Sequence, residues 1–148
     1  MSGAQRGEVG GPESAAAAQT PRERIVRECY ALWNAGRLAE AMERFWHPDA
    51  VLLHPVGWPE PGPSIGREAA VEQFERVRED FDVDRLEILE LRDIAGVLVL
   101  RVLWIVRGHA SGVDARMELS GVYWFDGDLI VRNAFYWDHE AALSAAVE

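Results

Sequence analysis

Apolar residues recur at helical spacing early in the chain. Ile25, Val26, Cys29, Tyr30, Leu32 and Trp33 fall on one face of a helix. Thr20-Pro21-Arg22-Glu23 just before them reads as a capping box with Pro at the first helical position. Gly36 stands where a glycine ends a helix. A second, short helix carries Leu38, Ala41, Met42 and Phe45 on its face, and His47-Pro48-Asp49 is expected to stop it. Ala50–His54 reads as a short strand. Four prolines and three glycines among residues 55–66 then forbid regular structure. A third helix is predicted from about Glu68 to Phe81, with Ala69, Val71, Phe74, Val77 and Phe81 toward the core. The pattern then changes to that of strands: Leu86–Leu91, Val97–Arg107, Asp114–Phe125 and Leu129–Trp137, with Asp126-Gly127-Asp128 as a tight hairpin turn. Glu140–Val147 is an Ala-rich terminal helix or tail. Helices first and a β meander last predict an α+β fold.

With 148 residues the chain is the size of one domain. Residues 1–19, rich in Gly, Ala and Ser, bury too little to offset their ordering entropy and are expected to form a disordered tail, leaving 20–148 as the domain. No apolar run reaches the roughly 18 residues of a membrane span. The single cysteine, Cys29, excludes an internal disulfide and a cysteine-clustered metal site, and fits a reducing cytoplasm. The net charge is −10, and all 15 basic residues are arginine. Such a chain repels polyanions, which argues against nucleic acid and anionic membrane surfaces as partners.

Three stretches resemble a known family. They are Tyr30-Ala31-Leu32-Trp33-Asn34-Ala35-Gly36, then Phe45 through Gly57 with its Trp46-His47-Pro48-Asp49 and His54-Pro55-Val56-Gly57, then Gly127-Asp128 through Phe135-Tyr136-Trp137-Asp138-His139. In that order they are similar to the nuclear transport factor 2-like superfamily, in particular its SnoaL-like branch, over about residues 20–145. The resemblance implies a cone-like α+β barrel: a strongly curved, mostly antiparallel sheet wrapped around three helices, with a cavity at its open end. Its members range from ketosteroid isomerases, polyketide cyclases, epoxide hydrolases and dehydratases to non-catalytic binding modules, so the site has to decide the function.

Carried over position by position, the isomerase pattern is not kept. His54 stands where those enzymes place a carboxylate base, Cys29 (beside Tyr30) where they place an oxyanion tyrosine, and Gly121 where they place an aspartic acid. The epoxide hydrolase carboxylates are likewise absent from Arg101-Val102-Leu103 and Arg132-Asn133-Ala134. The simpler cyclase scheme pairs an aspartate with a histidine near the cavity; His54 with Asp138, or His109 with Glu118, could fill it.

The residues weigh as follows. His54 ends a strand before a Pro-rich loop, and an imidazole suits proton abstraction near neutral pH; the plainer reading is a strand-end cap. The resemblance implies that Gly121 faces the cavity, and alternation then puts Leu119 and Tyr123 on the same side, where the Tyr123 hydroxyl is a donor candidate. Glu118 faces away and is expected to pair with an arginine across the sheet. Arg101 interrupts an apolar strand and must meet a wet cavity, a carboxylate such as Glu118, or solvent; it is carried as a substrate-binding candidate. Trp33 and Trp46 read as core packing. Tyr30, Trp58, Phe135 and Trp137 read as pocket wall, because aromatic walls with a few polar groups typify small-molecule sites. Asp138 is either the carboxylate that orients an imidazole or a helix N-cap. His47 reads as surface and Cys29 as a buried small apolar residue. The histidines show no metal spacing, and no cofactor is implied. Leu100, Val102, Trp104 and Val106, with Val122 and Trp124 beside them, are expected to form an outer sheet face that makes a homodimer.

Together these readings predict a small-molecule-binding protein whose ligand is apolar, aromatic or polyketide-like. Catalysis without a cofactor, of isomerase, cyclase or dehydratase type, is expected to rest on His54, Tyr123 and Asp138. The alternative is a non-catalytic ligand-binding or oligomerisation module of the same fold.

Overall fold

The computed structural model describes residues 19–59 and 62–148. The expected tail over 1–19 therefore falls, but for Gln19, outside the described residues. Helix α1 spans Pro21–Asn34, with the Thr20 hydroxyl accepting from the Glu23 amide at 3.1 Å, as the capping signal predicts. Helix α2 spans Leu38–Phe45, and strand β1, Trp46–Leu53, follows without a break. Strand β2 is the two-residue Ser64–Ile65, and helix α3 is Arg67–Glu79. Three long strands form the meander: β3 Phe81–Ile94, β4 Val97–Gly108 and β5 Asp114–Asp126. Strand β6, Leu129–Tyr136, and helix α4, His139–Val147, complete the fold.

The six strands form one curved, unclosed sheet in the order β2-β1-β6-β5-β4-β3. Only β1 and β6 run parallel; the other neighbours are antiparallel. Helices α1, α2 and α3 fill the concave side around Val26, Met42, Trp46, Leu52, Leu98, Leu100 and Ile130. Arg22 on α1 donates to the carbonyls of Gly96 (3.1 Å) and Gly127 (3.0 Å), so one side chain ties the helix to the β3–β4 and β5–β6 turns. Helix α4 covers part of the outer face, where Ala142 and Ala146 pack on Val99 and Val122.

Four local expectations are corrected. His47, Pro48 and Asp49 do not lie in a helix stop; they belong to β1, where the register against β6 shifts between Trp46 and Val51. A proline is tolerated in such a bulge because no ladder bond is required of it. Strand β3 begins at Phe81 rather than Leu86, and Phe81 therefore belongs to the sheet rather than to α3. Two bulges and the charged residues of an edge strand hide its alternation. On α3, Val71 and Phe74 pack on the core and Phe74 and Val77 line the hollow as expected, but the most deeply buried residues are Ala70 and Gln73, which the pattern did not single out. Lastly, Leu100, Val102 and Trp104 do not form an outer face. Val102 opposes Leu119 and Trp104 opposes Met117, and both Val102 and Trp104 line the interior hollow. Val106 shares their alternation and is 3% exposed. Val122 and Trp124 lie on the opposite face, in the α4 cluster.

Candidate functional site

The concave side holds an apolar cavity of about 110 Å³. Helix α1 contributes Cys29, Tyr30 and Trp33 to its wall, α2 contributes Leu38 and Met42, and α3 contributes Gln73 and Phe74. The sheet supplies Leu86, Val102, Trp104, Leu119, Tyr123, Asn133 and Phe135. His54, Pro55 and Trp58 close it from the segment after β1. Among the described residues the lining holds no Asp, Glu or Arg, so any proton transfer there falls to His54, the two tyrosines or Cys29.

The tyrosines form a buried pair. The Tyr30 and Tyr123 hydroxyls lie 2.8 Å apart, with ring centroids at 6.3 Å in an edge-on arrangement. One proton joins the two oxygens, so the pair retains a second proton to give to a ligand. Burial pushes both phenols above their ordinary range, and the Tyr30 hydroxyl further disfavours charge on Tyr123. Both hydroxyls thus act near neutral pH as donors rather than as bases. Asn133 pairs across the ladder with Tyr123, is fully buried and donates from Nδ2 to the Val122 carbonyl at 3.0 Å. Its Oδ1 has no hydrogen-bond partner among the described residues, an arrangement that favours a ligand or water supplying a donor. Burial pushes the Cys29 thiol up to about 12, so it stays protonated and serves as wall.

His54 follows the last residue of β1. Its ring stacks on Trp58 at 6.3 Å and 11°, and its Nε2 lies 3.4 Å from the Ser64 hydroxyl. Trp58 in turn packs on Trp137 at 6.5 Å, and the Trp137 indole donates to the Val56 carbonyl at 3.1 Å. Trp137 is 45% exposed and does not line the cavity; it braces the loop that does. At Gly121 a Cβ would stand 3.2 Å from the Phe135 ring and 3.3 Å from the Tyr123 ring. Glycine there gives both rings room close to the β5 backbone.

The structure therefore brings together Tyr30, His54, Trp58, Leu119, Tyr123 and Phe135, with Gly121 and Trp137 in support. It does not bring in Arg101 or Asp138. Arg101 lies on the other face of β4, paired with Glu118 at 2.7 Å and Glu90 at 3.3 Å. The substrate-binding expectation for Arg101 is thus replaced by the ion pair anticipated for Glu118. Asp138 caps α4, accepting from the Glu140 amide at 3.2 Å, and lies outside the cavity lining. His109, offered as a partner for Glu118, instead meets Asp82 at 2.6 Å on the surface, and that hydrogen bond raises its pKa.

Three polar residues escaped the sequence reading. Gln73 sits in a helix whose neighbours are mostly charged, and nothing in its spacing marks it as buried. Asn133 was read only as the absence of a hydrolase carboxylate, although its alternation with Phe135 places it on the inner face. Asp84 accepts from the indoles of Trp104 (2.7 Å) and Trp33 (3.4 Å), fixing two cavity-wall rings, while its Oδ2 is buried without a partner. Among the described residues no three His, Cys, Asp or Glu side chains cluster as a metal site.

A curved, open sheet around three helices, with an apolar hollow on its concave side, defines the nuclear transport factor 2-like fold. The SnoaL-like domain model matches residues 26–133, and the chain belongs to that family. Solved structures agree. A nuclear transport factor 2-like protein of unknown function from Burkholderia pseudomallei superposes with TM-score 0.72 at 18% identity, covering 88% of this chain and all of that one. A structure from Jannaschia sp. CCS1 described as a SnoaL-like polyketide cyclase gives 0.73 at 12% identity over 86% and 92% of the two chains. TerC, co-crystallised with polyporic acid, gives 0.71 at 19% identity over 86% and 98%. No curated protein shows significant similarity to the chain.

Proposed function

We propose that the protein binds a small apolar or aromatic carbonyl compound in the inner cavity and moves a proton on it without a cofactor. The observation that carries this reading is the sharing of one apolar hollow by the His54 imidazole and the Tyr30–Tyr123 pair. His54 takes a proton from the carbon next to the carbonyl. The charge that develops on the carbonyl oxygen is met by the spare tyrosine proton, in a cavity where a hydrogen bond to charge is strong. The imidazolium then returns its proton to a carbon of the same enolate, which completes an isomerisation or a stereochemical exchange. A neighbour of this fold was crystallised with polyporic acid, which accords with a small organic ligand.

The test is exchange of the acidic carbon proton of a cyclic ketone into deuterated water, followed by NMR. His54→Ala is expected to slow the protein-dependent rate by about 10²–10⁴-fold. An unchanged rate removes the proton-transfer role. A second reading, a non-catalytic binding module, is favoured by the lack of any carboxylate in the cavity lining among the described residues. It predicts ligand binding with no exchange in the wild type. Homodimerisation belongs to the same proposal, through the part of the outer face that α4 leaves open, where Leu103 and Ile105 are half-buried. A sedimentation mass of one chain at micromolar concentration contradicts it. A cytoplasmic setting is supported by the lone cysteine and by the lack, among the described residues, of a helix long and apolar enough to cross a membrane.

A further inference from the structure

We infer that the ligand has two parts: a ring held in the inner cavity, and an arm bearing a hydrogen-bond-accepting oxygen that passes Gln73 into an adjoining polar pocket. The inference rests on the reading of the inner cavity as a ligand site and adds the class of molecule that fits it.

Size is the first argument. The inner cavity, about 110 Å³, is of the order of the roughly 150 Å³ hollow that holds a benzene ring, so it takes one small ring and no more. It falls short of the roughly 300–1,000 Å³ usual for ligand sites. A second pocket of about 400 Å³ shares His54 and Gln73 with it, so those two side chains form the boundary. A molecule occupying both reaches the usual range.

The second argument is polarity. The inner wall is aromatic and aliphatic, whereas the outer pocket is lined by Ser64, Glu72 and Arg76. A ligand matching both is apolar at one end and polar at the other.

The third argument is Gln73 itself. It is 3% exposed, and a buried amide is costly unless its hydrogen-bonding groups are satisfied. Arg76, one turn further along α3, donates from Nη2 to the Gln73 Oε1 at 2.9 Å. That bond occupies the oxygen end of the amide and sets its orientation, leaving the Nε2 protons as the end Gln73 has to offer. A carbonyl oxygen on the arm satisfies them at the boundary between the two hollows. Gln73 is therefore a specificity-determining residue that selects ring compounds with a carbonyl-bearing arm over all-hydrocarbon arms.

The experiment is isothermal calorimetry on the full chain with two probes of matched shape, 4-(4-hydroxyphenyl)butan-2-one and 4-(3-methylbutyl)phenol. They share the phenol ring and arm length and differ in a carbonyl. Gln73→Met is expected to weaken binding of the ketone by about fivefold or more while leaving the hydrocarbon probe within about twofold. In the wild type, the Gln73 side-chain amide resonances shift with the ketone and stay in place with the hydrocarbon probe, a readout that does not depend on the variant folding. Equal weakening of both probes, or amide shifts that do not distinguish them, overturns the role of Gln73 and leaves the inner cavity as a ligand site. Binding of neither probe to the wild type overturns both.

Discussion

The two faces of the β4–β5 ladder carry polar pairs of opposite kind. On the concave face Tyr123 meets Tyr30 in a bond shut off from water, with Asn133 beside it. On the outer face Arg101 meets Glu118 and Glu90, with side chains 37–49% exposed. The charged trio has the greater electrostatic strength in isolation, yet water screens it and little of that strength reaches stability. The neutral pair, by contrast, keeps its donors protonated and undiluted, because burial opposes ionisation. Charge marks the solvated side of this sheet; uncharged hydroxyls mark the dry side.

The largest expected effect of a small change lies on the dry face. Gly121→Ala pushes a methyl group against the Phe135 and Tyr123 rings and is expected to lower stability by about 1–3 kcal/mol, read from urea unfolding. A smaller effect separates the tyrosines by pH. Their folded pKa values are raised, so their contribution to stability is complete below the ordinary phenol pKa near 10 and is lost as pH rises through the higher folded values. An alkaline titration followed at 295 nm is expected to show a delayed ionisation step in the wild type that the Tyr30→Phe/Tyr123→Phe double variant lacks. The least effect belongs to the wet face: Arg101→Ala leaves the melting temperature and ligand binding unchanged within error. A loss of binding in that variant would reverse the assignment of the two faces.

What the sequence made legible follows the same division. Capping at Thr20, helical spacing from Ile25 to Trp33, and the turn at Gly127 are local signals, and all three hold in the structure. The family resemblance at Gly121 points to the inner face of β5, and alternation extends it to Leu119 and Tyr123 because β5 pairs with β4 without a bulge over those positions. Alternation also divides β4 into Leu100-Val102-Trp104 and Arg101-Leu103-Ile105, but only the register, in which Leu100 opposes Gly121, says that the first set is inside. Gln73, Asn133 and Asp84 were illegible for a different reason. Gln73 and Asn133 are buried and Asp84 is half-buried, through a partner distant in space or a place hidden in a helix pattern, and single-position polarity reads such residues as exposed. Arg101 is ambiguous in the sequence because a charge in an apolar strand has three physical resolutions, a wet cavity, a carboxylate or solvent, and only the register chooses among them.

The most direct test is a crystal soaked with phenol, the simplest ring that carries a hydroxyl. Density for phenol in the inner cavity, its oxygen within hydrogen-bond distance of the Tyr123 hydroxyl or the Asn133 Oδ1 and its ring beneath His54, is the expected result. A cavity collapsed around its own tryptophan and phenylalanine rings, with phenol bound only elsewhere, would contradict the assignment of this hollow as the site.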